Sequence, residues 1–213
     1  MTSEAATERK RSYRSPRRVE QAAQTRAAVL EAATRLFAER GWAGTGMRDV
    51  AREAGVAVET VYANFRSKPE LLIAAVDVSV VGDDAPVALA DREELLVLGH
   101  GTFDERVASA ARLLVRISTS TAGLNLALRQ GAASEPELAL RLKRGEDGRR
   151  ANIQQGAELV AGRPVDERIV DAVWALLSLD VFRLLTELRG WSVDEYEHWA
   201  AREMAERLRA TGD

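Results

Sequence analysis

The chain has 213 residues, 46% of them hydrophobic, enough to bury a real core in one domain or two. It holds no cysteine, which excludes disulfides, thiolate metal sites and a cysteine nucleophile together. Its apolar runs, such as Ala172 to Leu179, fall short of a bilayer span and the N-terminus lacks an apolar signal core, so a folded, cytoplasmic protein with no membrane contact is expected.

The formal net charge of -3 hides an asymmetry: residues 1–81 hold 13 Lys+Arg against 10 Asp+Glu, and the remainder 17 against 23. A basic N-terminal side suits a polyanion, and an acidic remainder should face away from it. Residues 1–21 carry Arg9, Lys10, Arg11, Arg14, Arg17 and Arg18 with few apolar neighbours, and are expected to form a flexible basic arm. Two readings fit the arm: a solubilising tail, or a segment that reaches phosphates or a minor groove. A helix is predicted from Val19 to Arg40, with Leu30, Ala33, Leu36 and Phe37 on its apolar face and Gly41 at its end.

Two short helical patterns follow between Gly46 and Phe65, hinged at Gly55. Val50, Ala51 and Ala54 share one face of the first; Val58, Val61, Tyr62 and Phe65 recur at helical spacing in the second. Gly55 stands where the first must stop, in the left-handed conformation that glycine takes without penalty. Two such helices meet steeply across a tight turn, which is a helix-turn-helix over about 45–64, a unit whose second helix enters the DNA major groove. Ser67-Lys68-Pro69-Glu70 reads as a capping box opening a fourth helix that buries Leu71, Leu72, Ala75, Val76 and Val80 and breaks at Gly82. A domain boundary is placed there, with a DNA-binding domain over 22–82 and a second domain over 83–213.

Only helical signals follow. Ala90 to Leu98 is predicted as a short helix, and Thr102 with Glu105 as a capping box for a helix to about Gly131. Pro136 lies near the start of another, reaching about Ala161 through Gly145, Gly148 and Gly156. Pro164-Val165-Asp166 introduces a helix to Arg189, and the last begins at the Ser192 and Glu195 box, with Trp191 stapled against Tyr196. The fold class is therefore all-α: an N-terminal three-helix helix-turn-helix domain joined by a fourth helix to a C-terminal helical bundle. The 166–189 helix is apolar on two sides and must be buried on two sides. With the final helix, over about 166–210, it is expected to form a two-fold homodimer interface.

The run Arg116, Ser118, Thr121, Asn125 puts polar groups amid Leu113, Leu114, Ile117 and Leu124, either lining a small-molecule cavity or bonding carbonyls one turn earlier. Trp174, Ser178 and Phe182 read as facing walls or as core. His100 and His198, the only histidines, lie far apart with no phosphate loop, nucleophile elbow or metal spacing, so neither catalysis, a metal nor a cofactor is expected.

Leu36-Phe37-Ala38-Glu39-Arg40-Gly41, Thr45, Arg48-Asp49-Val50-Ala51, Ala54-Gly55-Val56, Thr60-Val61-Tyr62, Phe65 and Ser67-Lys68 follow one another in an order and spacing that resemble the tetracycline-repressor (TetR) family of bacterial transcription regulators. The resemblance covers about 60 residues and four helices, and it implies an all-helical homodimer with an N-terminal DNA-binding domain and a C-terminal domain that dimerises and commonly holds an effector pocket. By the same resemblance the DNA-binding residues are Thr45, Arg48, Val58, Glu59, Thr60, Tyr62, Asn64 and Lys68. Val58 would meet a thymine methyl, Glu59 would either accept from a cytosine amino group or simply repel phosphates, and Arg48 and Lys68 would meet phosphates. Alternatives stay open for several: Tyr62 packed against Val50, Asn64 capping a helix end, Arg48 and Lys68 as solvated charges. Ala57 departs from the serine or threonine that many members carry as the N-cap of the recognition helix. The implied function is a repressor released from a palindromic double-stranded operator by a small-molecule effector. An activator or effector-independent regulator, and a helical protein-interaction adaptor, are the alternatives.

Overall fold

The computed structural model describes residues 16–83, 85 and 87–209, and no strand forms among them. The helices are α1 (Pro16–Arg40), α2 (Met47–Glu53), α3 (Val58–Asn64), α4 (Lys68–Val81), α5 (Glu93–Leu96), α6 (Phe103–Ala132), α7 (Pro136–Ala161), α8 (Glu167–Leu176), α9 (Leu179–Arg183) and α10 (Val193–Arg209). Among the described residues no helix is long and apolar enough to cross a membrane. α1 is described from Pro16 onward, so Arg17 and Arg18 ride on a helix and not on an arm. Residues 1–15, the rest of the expected arm, lie outside the described residues.

Two cores hold the molecule together. The first joins Val29, Leu36 and Phe37 of α1 to Val50, Val61, Phe65, Leu71 and Leu72, and it also takes in Leu124, Ala127, Leu128 and Leu138 from α6 and α7. Each of the Val, Leu and Phe side chains among them contributes about 1.5–3 kcal/mol by leaving water. The boundary at Gly82 thus divides the sequence without dividing the core. α1 and α6 approach closely: a Cβ on Gly123 would stand 2.9 Å from that of Ala38, and the Trp42 N–H donates to Gln130 Oε1 at 2.9 Å. The second core packs Val107 and Val115 of α6, Val160 of α7, Val170 and Val173 of α8, and Tyr196, Ala200, Met204 and Leu208 of α10.

Caps set most helix starts. Thr102 Oγ1 accepts from the Glu105 N–H at 3.3 Å while Glu105 accepts from the Thr102 N–H at 2.8 Å, and Ser192 with Glu195 repeats the arrangement. At α4 only one arm forms as expected. Ser67 Oγ accepts from the Glu70 N–H at 3.1 Å, but the Glu70 carboxylate takes the N–H of Arg66 at 2.9 Å.

Three elements differ from expectation. The segment 90–98 is a 3-10 turn at Leu89–Asp91, the four-residue α5 and another 3-10 turn at Val97–Gly99. The helix expected from Asp166 to Arg189 breaks at Leu177, because the Ser178 hydroxyl accepts from the Val181 N–H at 3.3 Å and restarts the chain as α9, after which Leu184–Leu188 widens into a π turn. Trp191 staples edge-on to Trp199, with centroids 6.2 Å apart; Tyr196 lies beneath, between Phe182 and Trp199.

Candidate nucleic-acid interface and C-terminal cavity

α2 and α3 are joined by a Schellman turn. Gly55 has φ +67, its N–H reaches Arg52 O at 3.3 Å, and the Val56 N–H reaches Ala51 O at 3.0 Å. No atom lies within 4 Å of a Cβ built on Gly55, so the position demands glycine for its backbone conformation and not for space. Buried Val50 and Ala51 press α2 onto the core, and buried Val61 and Phe65 do the same for α3. Asp49 accepts from the Gly46 N–H at 3.1 Å and from Arg52. The Arg52 hydrogen bond, aided by that from Gly46, holds its carboxyl below the usual carboxylate range.

The expected DNA-binding residues separate into two groups. Arg48 is exposed with no hydrogen-bond or ionic partner among the described residues, and Glu59 and Tyr62 are exposed, Tyr62 by 52%. Tyr62 therefore stands out from α3 and is not packed away against Val50. Thr60 is half-buried, and Val58 rests partly on the core, leaving only its edge to a partner.

Three others turn inward. Thr45 is 2% exposed and its hydroxyl donates to Leu36 O at 3.0 Å, so it braces the turn after α1 and offers nothing outward. Asn64 Nδ2 donates to Thr60 O at 2.8 Å, which closes the end of its own helix. The Lys68 ammonium donates to Trp42 O and lies 3.9 Å from the centre of the Trp42 ring, and burial holds it below the ordinary lysine range. Its charge is spent on the indole. Sequence reasoning missed Arg66, exposed in the turn after α3 with no side-chain partner among the described residues; a lone basic residue there was the available signal. Ala57 caps α3 with no side-chain hydrogen bond, as its methyl group requires.

A cavity of about 500 Å³ opens in the C-terminal half, walled by α4, α6, α7 and α8. Ser118, Thr121 and Asn125 line it, and the Thr121 hydroxyl also donates to Ile117 O at 2.7 Å. Arg116 does not line it and is exposed. Trp174, Ser178 and Phe182 are likewise absent from the wall, where Val173, Leu177 and Leu179 stand instead. Ser178 is occupied as the cap of α9, Phe182 meets Tyr196 edge-on at 5.0 Å, and the Trp174 ring lies under Arg149 at 4.8 Å. The missed contribution is that of α7, whose Arg141, Gly145, Gly148, Arg149, Asn152 and Gly156 face the cavity. Their recurrence every three or four residues was the signal.

Residues 29–75 match the model of the bacterial regulatory proteins of the tetR family. Over 58 residues the chain is 45% identical to the HTH-type transcriptional regulator TtgR of Pseudomonas putida, a stretch that covers 27% of this chain and 28% of that relative's length. A Mesorhizobium loti protein assigned to the TetR-family transcriptional regulators superposes with a TM-score of 0.65 at 20% identity, over 89% of this chain and 97% of that one. The transcriptional regulator FadR of Bacillus subtilis, in complex with stearoyl-CoA, does so with a TM-score of 0.61 at 19% identity, over 84% and 96%. At such identities the likeness is one of fold, and it extends through the helices beyond the sequence match. Residues 29–75, which include the helix-turn-helix unit, thus match the tetR family of bacterial regulatory proteins in sequence, and the remaining helices share the fold of these structures.

Proposed function

We propose that the protein is a sequence-specific DNA-binding transcriptional repressor that works as a two-fold homodimer and is released from a palindromic operator by a small molecule in the C-terminal cavity. The carrying observation is α3: Val61 and Phe65 lock one side into the core while Glu59, Thr60 and Tyr62 face out, with Arg48 before them and Arg66 after. Arginine and tyrosine donors of this kind suit phosphate oxygens, and Glu59 can accept from a cytosine amino group.

One seven-residue helix reads few base pairs, so specificity calls for a second copy. Leu184, Leu188 and Val193 support that copy's contact, since they are 51%, 74% and 40% exposed in the single chain, around the π turn and the start of α10. The cavity supports release. Its wall includes Val76 and Val80 of α4, the helix that leaves the helix-turn-helix, so a ligand favouring another placement of α4 shifts the population away from the DNA-binding form. The FadR complex supports the reading that such a fold can hold a ligand.

Salt tests the nucleic-acid reading against a protein-binding one. Affinity for a labelled duplex should fall steeply as salt rises, and Arg48→Gln and Arg66→Gln should each reduce the log-log slope by about 1. Binding that is indifferent to salt and to both substitutions contradicts the proposal.

A further inference from the structure

We infer that the cavity takes an apolar molecule ending in one acidic group, a carboxylate-headed amphiphile, which rests on the effector reading of the cavity and gives it a chemistry. The body follows from the wall: Leu98, Leu113, Leu114, Ile117, Ile153 and Val173 leave a volume of about 500 Å³ that rewards apolar filling. On α7, Gly148 lines the cavity and is exposed, and nothing lies within 4 Å of a Cβ built on it, so a side chain there would enter open space at the mouth.

The head group follows from the charge balance of the lining. Arg141 is paired with Asp77 of α4. Arg149 is paired with Glu146 at 3.1 Å and gives a further hydrogen bond to Trp174 O at 3.0 Å. Arg144 lines the cavity, is exposed at its rim and has no acidic partner among the described residues. One positive charge is therefore left over where a ligand's end would meet solvent. It attracts an anion, repels a cation and gives a neutral head nothing that water does not. Deeper in, Ser118 is 2% exposed and lines the same wall, so a hydroxyl also stands within an occupant's reach.

Three probes of equal chain length separate the possibilities: dodecanoate, 1-dodecanol and dodecyltrimethylammonium, each titrated into the full chain by calorimetry below its micellar range. Dodecanoate should bind at least about 10-fold more tightly than the ammonium, with the alcohol between them. Arg144→Gln, a rim change, should remove most of that preference and leave the alcohol's affinity unchanged. Gly148→Leu should weaken all three, with an unchanged helical circular-dichroism spectrum and a single cooperative melt as the check that it folds. An ammonium that binds as tightly as the carboxylate, a preference untouched by Arg144→Gln, or no binding of any probe overturns the inference. Duplex affinity is measured in parallel. Dodecanoate bound without any change in duplex affinity would remove the effector reading and leave the ligand chemistry standing, whereas intact duplex binding with no probe bound removes the ligand chemistry alone.

Discussion

The Thr45 hydroxyl spends its hydrogen on the Leu36 carbonyl out of contact with water, so Thr45→Val acts on stability and not on DNA. It should cost about 1–2 kcal/mol in urea unfolding, with duplex affinity of the folded fraction unchanged. Tyr62 is the converse case. Its exposed phenol holds nothing together, so Tyr62→Phe should leave the melting temperature in place while weakening duplex binding by about 10-fold, the value of one hydrogen bond to a charged oxygen. A third residue acts through pH. Burial in the second core pushes the Tyr196 phenol up to about 12 from 10.0, and its hydroxyl has no hydrogen-bond partner among the described residues. The native state then keeps a proton that the unfolded chain releases. The stability this contributes is complete below about pH 10 and is lost as pH rises toward about 12. Tyr196→Phe should flatten that alkaline loss and should not destabilise the protein at neutral pH, because no hydrogen bond is broken; unfolding curves at stepped pH measure both.

At the scale of the helix, α3 starts at Ala57 without a side-chain cap, and Ala57→Ser should add about 1 kcal/mol of stability in denaturant unfolding. Gly55 and the boxes at Thr102 and Ser192 were legible in the sequence because each depends on residues a few positions apart. The break at Ser178 was not, since a single serine in an apolar run reads equally as helix interior or as cap, and what chooses is the packing around it. The cavity was half legible for a related reason. Arg116 and Ser118 are two positions apart, about 200° around a helix, so only one can face inward, and nothing local says which. Lys68 and Asn64 show the same limit at the proposed DNA face. Residue type announces a donor, but Lys68 finds Trp42, 26 positions away, and Asn64 finds Thr60 before either meets DNA.

The molecule as a whole couples its two ends through one helix, α6. Leu124, Ala127 and Leu128 of α6 pack with α1 and α4, while the same helix carries Ser118 and Thr121 into the cavity. The proposed dimer belongs to this scale too. Leu188→Glu should leave the fold intact, because the side chain is 74% exposed, yet shift the protein to monomer in sedimentation at micromolar concentration and weaken operator binding with it. The most direct test of the account is selection of duplexes bound by the purified protein from a random pool. One enriched palindrome is expected, its half-sites centred one helical turn, or a multiple of it, apart. A pool that yields no enriched sequence, or a single half-site without its mate, would contradict it.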